Sequence, residues 1–181
     1  MARVPYVDEA ALPKEHQDLL ASALQGKELN SYRAIGNNPA VLYGLRTFLG
    51  SLWRDSGLDP DQRELVVLAV SHEVESAYEW HQHVAIAREI GIADRDILAI
   101  VDGDLDQFDT GDKTLIRYVL AVVQGTVDDE SHDALLAAHG PETVVGVAAL
   151  ASGYLLVGRL LGALDIEPES PFVGWRLEGD E

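Results

Sequence analysis

The stretch Arg63–His83, RELVVLAVSHEVESAYEWHQH, gathers acids, histidines and aromatics more densely than any other part of the chain. Glu79 and His83 stand four positions apart, so a helix places them on one face. A carboxylate beside an imidazole raises the ring's pKa and fixes its tautomer, which suits proton transfer near neutral pH. Tyr78 adds a phenol one residue before Glu79. Glu64 lies on the preceding apolar segment and reaches the same pair if the two segments fold back as antiparallel helices. The pattern predicts an acid/base cluster drawn from Glu64, Ser76, Tyr78, Glu79 and His83. Arg63, Trp80 and His81 flank it as candidate substrate contacts.

The same residues admit plainer roles. Ser76-x-x-Glu79 reads as a capping box, in which both side chains satisfy orphan helix amides. A single helical histidine is often structural, and Arg63-Glu64 reads equally as an ion pair. A metal would need Glu64 or His72 to join Glu79 and His83, while His81 and His83 point to different helix faces, so no metal is expected. Asp102, Asp104 and Asp106 imitate the start of a calcium loop, but Gln107 and Lys113 replace the required Gly and Glu, leaving a solvated acidic loop. The chain has no cysteine, which excludes its own disulfides, thiolate chemistry and zinc–thiolate sites. Phosphate-loop, nucleophile-elbow and dinucleotide motifs are missing as well, and no cofactor is expected.

The elements that must position this cluster are helical. Apolar residues recur at three- and four-residue steps, with no sustained alternation, which predicts an all-α fold in one domain over 1–181. Residues 1–12 read as an extended arm, and Pro13 opens a helix to about Ala23, with Leu19, Leu20 and Leu24 on its apolar side. Asn38-Pro39 and Asp59-Pro60 are start signals, an N-cap followed by Pro at the first helical position. Gly57 and Gly91 are stops. Further helices are predicted from Ser76 to Ile90, around Arg95 to Val101, at 111–124, from Asp128 to His139-Gly140, and from Pro141 to about Leu164. Residues 165–181 form an acidic tail carrying Phe172, Val173 and Trp175.

The run Val144–Gly158 is uncharged but short of the roughly 20 residues that a span needs, so it reads as a core or subunit-contact helix, not a membrane segment. The N-terminal arm and this helix are the expected subunit contacts of a homo-oligomer. With 31 acids against 13 bases the chain carries a formal charge of −18, which repels nucleic acid and anionic lipid. Such a surface suits a protein kept soluble at high salt. No signal peptide is read at the start, and a cytoplasmic location is expected.

RELVVLAVSHEVESAYEWHQHVAIAREIGI resembles the central segment of the carboxymuconolactone decarboxylase family, which includes the alkyl hydroperoxidase D-like proteins. The shared pattern is an Arg-Glu pair opening one helix, an aromatic-Glu-Trp segment and a His on the next, then an Ala-rich run ending in Gly. The likeness is best over 60–100 and looser upstream. It implies an all-helical bundle assembled as trimers or hexamers. The family's peroxidase branch uses Glu-x11-Cys-x-x-Cys-x-x-x-His. On that spacing Glu64 and His83 are retained, while Ser76 and Glu79 stand in the two cysteine positions. A hydroxyl and a carboxylate cannot cycle through sulfenate and disulfide, so thiol peroxidase chemistry is not expected. The decarboxylase branch implies acid/base chemistry on a small carboxylated lactone or organic acid. There His83 would be the general acid, Glu64 its orienting group, and Tyr78 or Glu79 polar contacts. A carboxylate substrate also calls for a basic clamp, for which Arg46, Arg54, Arg63, Arg88 and Arg159 are the available arginines. The alternative is a helical oligomer that has lost the reaction and serves binding or assembly.

Overall fold

The computed structural model describes residues 2–22 and 26–179. Seven α-helices form, and no strand is present among the described residues. They are α1 (Asn30–Ile35), α2 (Pro39–Asp55), α3 (Pro60–Glu73), α4 (Ala77–Ile90), α5 (Asp94–Asp102), α6 (Thr110–Gln124) and α7 (Asp129–Leu164). The all-helical expectation holds.

Start and stop chemistry explains most of these bounds. Asn38 caps α2, accepting from the Val41 amide at 3.3 Å, with Pro39 at its first position. Asp109 caps α6 through the Asp112 amide, and Asp128 forms a capping box with Ser131 at the start of α7. Gly91 ends α4 in the left-handed conformation (φ 98°), which costs a residue without Cβ nothing. Within α7, Gly140 departs from helical geometry (φ 77°, ψ 170°) just before Pro141. The break expected at His139-Gly140-Pro141 is therefore present, as a kink between two consecutive helical pieces.

The structure departs from the sequence reading near the N-terminus. The segment after Pro13 is a 3-10 helix over Lys14–Leu20 instead of an α-helix, and Ala23 and Leu24 lie outside the described residues. The short α1 has no counterpart among the predicted helices. It lacks a side-chain cap at Leu29. The apolar arm residues Val4, Tyr6 and Val7 pack on the chain's own core, with the Val7 amide donating to Arg33 O at 3.1 Å and the Arg3 amide to Leu164 O at 2.9 Å. The arm thus has the local partner that the sequence did not reveal.

Helix α3 is the centre of the bundle. Glu64 through Ser71 are all buried, so it is covered on every side, by α4, α5, α6 and α7. A short turn at Val74–Ser76, with Glu75 left-handed (φ 55°), reverses the chain into α4. Helix α7 is long and apolar enough to cross a membrane, yet half of its most apolar stretch is buried inside the fold, against α3, α6 and α2. Its small residues permit this: a side chain at Gly146 would collide with the Ser56 backbone of the α2–α3 turn. Val145 and Leu156 remain on its exposed face.

Candidate functional site

The α3–α4 reversal brings Glu64 and His83 together. Glu64 Oε2 lies 2.8 Å from His83 Nδ1, and both residues are almost completely buried. On the other side of the ring, Glu79 Oε2 lies 3.5 Å from Nε2, one helical turn back on α4. His83 is thus held between two carboxylates, one on each ring nitrogen. Burial opposes the charged ring, but Glu64, by charge and hydrogen bond, and then Glu79 outweigh it, raising His83 from 6.5 to about 10. The surroundings thus favour the imidazolium, whose Nδ1–H donates to Glu64, with Nε2 in the longer ion pair to Glu79.

Aromatic side chains complete its surroundings. The Trp53 indole stacks on the His83 ring at 5.9 Å and 14°, a face-on contact that favours the cation. Tyr154 meets the same ring edge-on at 5.1 Å and 86°. Trp53 Nε1 donates to the Tyr154 hydroxyl at 2.8 Å, which ties α2 to α7 across the histidine. On the far side, the Arg63 guanidinium lies 5.3 Å from the Trp53 ring.

These groups open on a cavity of about 510 Å³ between α1, α2, α4 and α7. This is within the size range of small-molecule sites. Its walls are largely apolar and aromatic, from Leu29, Ile35, Leu49, Ile86 and Val157 to Tyr32, Trp53 and Tyr154. His83 and Glu79 supply the acid/base groups, and Arg46, Arg54 and Arg63 line the same space. Arg46 is anchored on the carbonyls of Leu19 and Ala21 at 2.6 and 2.7 Å, over the Tyr32 ring. Arg63 is held through one guanidinium nitrogen on Leu58 O at 2.7 Å, and its Nε is buried with no protein partner. Glu64 Oε1 is likewise buried and unpartnered. Arg63 lines the cavity, and Glu64 reaches it only through His83.

The remaining sequence candidates fall elsewhere. Ser76 makes no capping bond, so the capping-box reading of Ser76 and Glu79 does not hold; Glu79 turns to His83 instead. Ser76 lines a separate surface depression beside Gly158 and Arg159, away from the histidine. Trp80 is fully buried on the opposite side of α4, where its Nε1 donates to Gly174 O at 3.0 Å and its ring packs on His72 and Trp175. His81 contacts Ser170 through Nε2 and accepts the Val173 amide on Nδ1. Trp80 and His81 therefore fasten the C-terminal tail and do not line the cavity. Tyr78 does line it, but its hydroxyl donates to Glu169 at 2.7 Å and accepts from the Ser31 amide at 3.2 Å, so it is engaged on both sides. Of the other arginines, Arg88 pairs with Asp94, and Arg159 lies on the separate depression.

Trp53, Tyr154, Tyr32 and Gln82 join the site without having stood out in the sequence. Only Tyr154 carried a signal: a phenol inside an uncharged helical run needs a partner for its hydroxyl. No cluster of three metal-ligating side chains occurs among the described residues. Glu64 and Glu79 address opposite ring nitrogens, so the three groups do not converge on one point. The Asp-rich loop is tied up in ion pairs, Asp102 with Arg176 and Asp106 with Lys113.

Comparison with solved structures places the fold in a known helical class. The structure aligns with an alkylhydroperoxidase AhpD core, an uncharacterized peroxidase-related protein from Ralstonia eutropha JMP134, at TM-score 0.83 and 21% identity, covering 97% of this chain and 96% of the other. A peroxidase-related protein from Silicibacter sp. TM1040 aligns at TM-score 0.80 and 18% identity, covering 95% and 93%. The debrominase Bmp8, as a cysteine-to-alanine variant in complex with 2,3,4-tribromopyrrole, aligns at 0.81 and 14%, covering 94% and 93%. At these identities the likeness is one of fold. A search of curated protein sequences found no match. The fold is thus AhpD-like. Within it, residues 39–109 match the Carboxymuconolactone decarboxylase family, and that region includes α2, α3, α4 and the Glu64–His83 pair. The resemblance read from residues 60–100 is borne out.

Proposed function

We propose that the chain is a proton-transfer enzyme of the carboxymuconolactone decarboxylase type, acting on a small carboxylated lactone or related organic acid. The observation that carries this reading is the buried Glu64–His83–Glu79 arrangement opening on a cavity flanked by Arg46, Arg54 and Arg63. The arginines supply the basic clamp that a carboxylate needs in so acidic a protein. The apolar walls hold the carbon skeleton and exclude water.

In the reaction, the carbon–carboxylate bond breaks and its electron pair spreads into the conjugated carbonyl as carbon dioxide leaves. The dienolate then takes a proton on carbon from the His83 imidazolium, through Nε2 on the cavity side. Glu64 does not reach the substrate. It is a positioning residue that holds Nδ1–H, fixes the ring and keeps it charged, and Glu79 competes for Nε2 until substrate displaces the longer contact. Solvent restores the proton. The rival reading, a helical oligomer that has lost the reaction and serves binding or assembly, would be expected to fill the space between α2, α4 and α7 with side chains if its role is assembly alone; the open cavity supports a small-molecule site.

A thermal-shift screen of carboxylactones and related acids tests the reading. A carboxylated ligand is expected to raise the melting temperature of the wild type, and to do so less in Arg63→Met. If no acid in the panel shifts the wild type, the reading fails.

A further inference from the structure

Tyr154 stands apart from the residues that the chemistry above employs. It lies on α7, in the middle of the uncharged run, and is buried except where it faces the cavity. Its hydroxyl oxygen accepts the Trp53 indole N–H at 2.8 Å. That bond takes up one lone pair and leaves the O–H to point elsewhere. Among the described residues no acceptor receives it. A buried phenol normally finds an acceptor. Here the ring meets His83 edge-on at 5.1 Å, and both residues line the same cavity. The Trp53 ring fixes both: its N–H anchors Tyr154 and its face carries His83.

We infer that Tyr154 is a further catalytic residue, a neutral hydrogen-bond donor to the oxygen on which negative charge develops in the substrate. This rests on reading the cavity as the reaction site. A donor for that purpose must stay protonated while charge grows beside it. Burial does this first, and the nearby charges of Glu79 and Glu64 add to it, keeping the phenol well above its ordinary range. It must also be aimed before the reaction, and the Trp53 bond supplies that. The division of labour is then spatial. Arginines take the carboxylate, Tyr154 takes the developing oxyanion, and His83 delivers the proton to carbon. The substrates implied are conjugated carbonyl acids, whose electron pair has an oxygen to move to.

The test uses 4-nitrophenol, whose ionised form mimics a conjugated oxyanion and is coloured, and 4-nitrotoluene, the same shape without the oxygen. Binding of each is measured for the wild type, Tyr154→Phe and Trp53→Phe. The wild type is expected to bind the phenolate and to lower the apparent pKa of bound nitrophenol. Tyr154→Phe should weaken phenolate binding about tenfold, as for loss of a hydrogen bond to a charged group, and leave nitrotoluene unchanged. Trp53→Phe, which releases the hydroxyl, should fall between. Equal loss of both probes in Tyr154→Phe, no loss of either, or a wild type that does not take up the phenolate overturns the inference. A Tyr154→Phe protein that failed to fold would leave Trp53→Phe to decide, on the same difference between the probes. The reading of the cavity as a carboxylate site is tested independently, by the acid panel and Arg63→Met.

Discussion

Glu64 on α3 and His83 on α4 meet at 2.8 Å in the interior of the bundle, although 19 positions separate them in the chain. Neither side chain has appreciable access to water. An imidazole buried alone would lose its proton, because desolvation penalises the cation. The carboxylate reverses that preference, and the ring is held up to about 10.

Glu64→Gln removes the charge and keeps the shape. The His83 pKa is predicted to fall well below about 10, since burial remains and Glu79 contributes only through a 3.5 Å contact. An NMR titration of the His83 ring checks this. Breaking one side of a buried pair also destabilises, by about 3–5 kcal/mol.

The pair makes stability depend on pH in a defined direction. The folded pKa lies above the unfolded value, so the contribution is fully present below about pH 6.5 and is lost as pH rises through about 10. Urea unfolding of the wild type between about pH 6 and pH 10.5 should show stability falling across this window. The fall should be about 1.4 kcal/mol for every tenfold difference in the ring's proton affinity between the folded and unfolded chain. His83→Gln should show a clearly shallower fall.

Trp80 gives the opposite kind of result. Trp80→Phe loses the bond to Gly174 O and leaves space beside Trp175 and His72. The expected cost is about 1–3 kcal/mol, read as a lower melting temperature and earlier proteolysis of the C-terminal tail. The His83 titration should be unchanged, because Trp80 lies outside the cavity.

The charge of −18 sets a salt dependence. Melting temperature should rise as KCl is added, because screening relieves repulsion among surface carboxylates. A protein equally stable near zero salt would count against repulsion among these carboxylates as a destabilising force.

Much of this is legible in the sequence where chemistry is local. Asn38-Pro39, Asp128 and Gly91 mark helix ends by bonds made within a few residues, and the Glu79–His83 spacing alone puts both on one face. The helix α1 is not legible, because six residues without a side-chain cap leave no signature. Ser76 and Glu79 show a sound capping-box spacing, but the backbone at Ser76 (φ −84°, ψ 87°) departs from the extended geometry of a cap and its side chain makes no capping bond. Trp53 and Tyr154 are 101 positions apart, and only the packing of α2 on α7 reveals that they share a bond against His83. The same holds for Arg46 and Arg63, whose place on the cavity depends on how whole helices cross.

The central claim is that His83 delivers a proton to carbon in a carboxylate-binding cavity. Its most direct test is to incubate the panel of carboxylactones and conjugated acids with the protein in D₂O, following released carbon dioxide and the NMR spectrum of the product. The account predicts carbon dioxide from at least one conjugated acid, with one deuterium on a carbon of the former dienolate system in the product, and neither from His83→Gln. No turnover of any acid, or turnover that His83→Gln sustains at the wild-type rate, would contradict it.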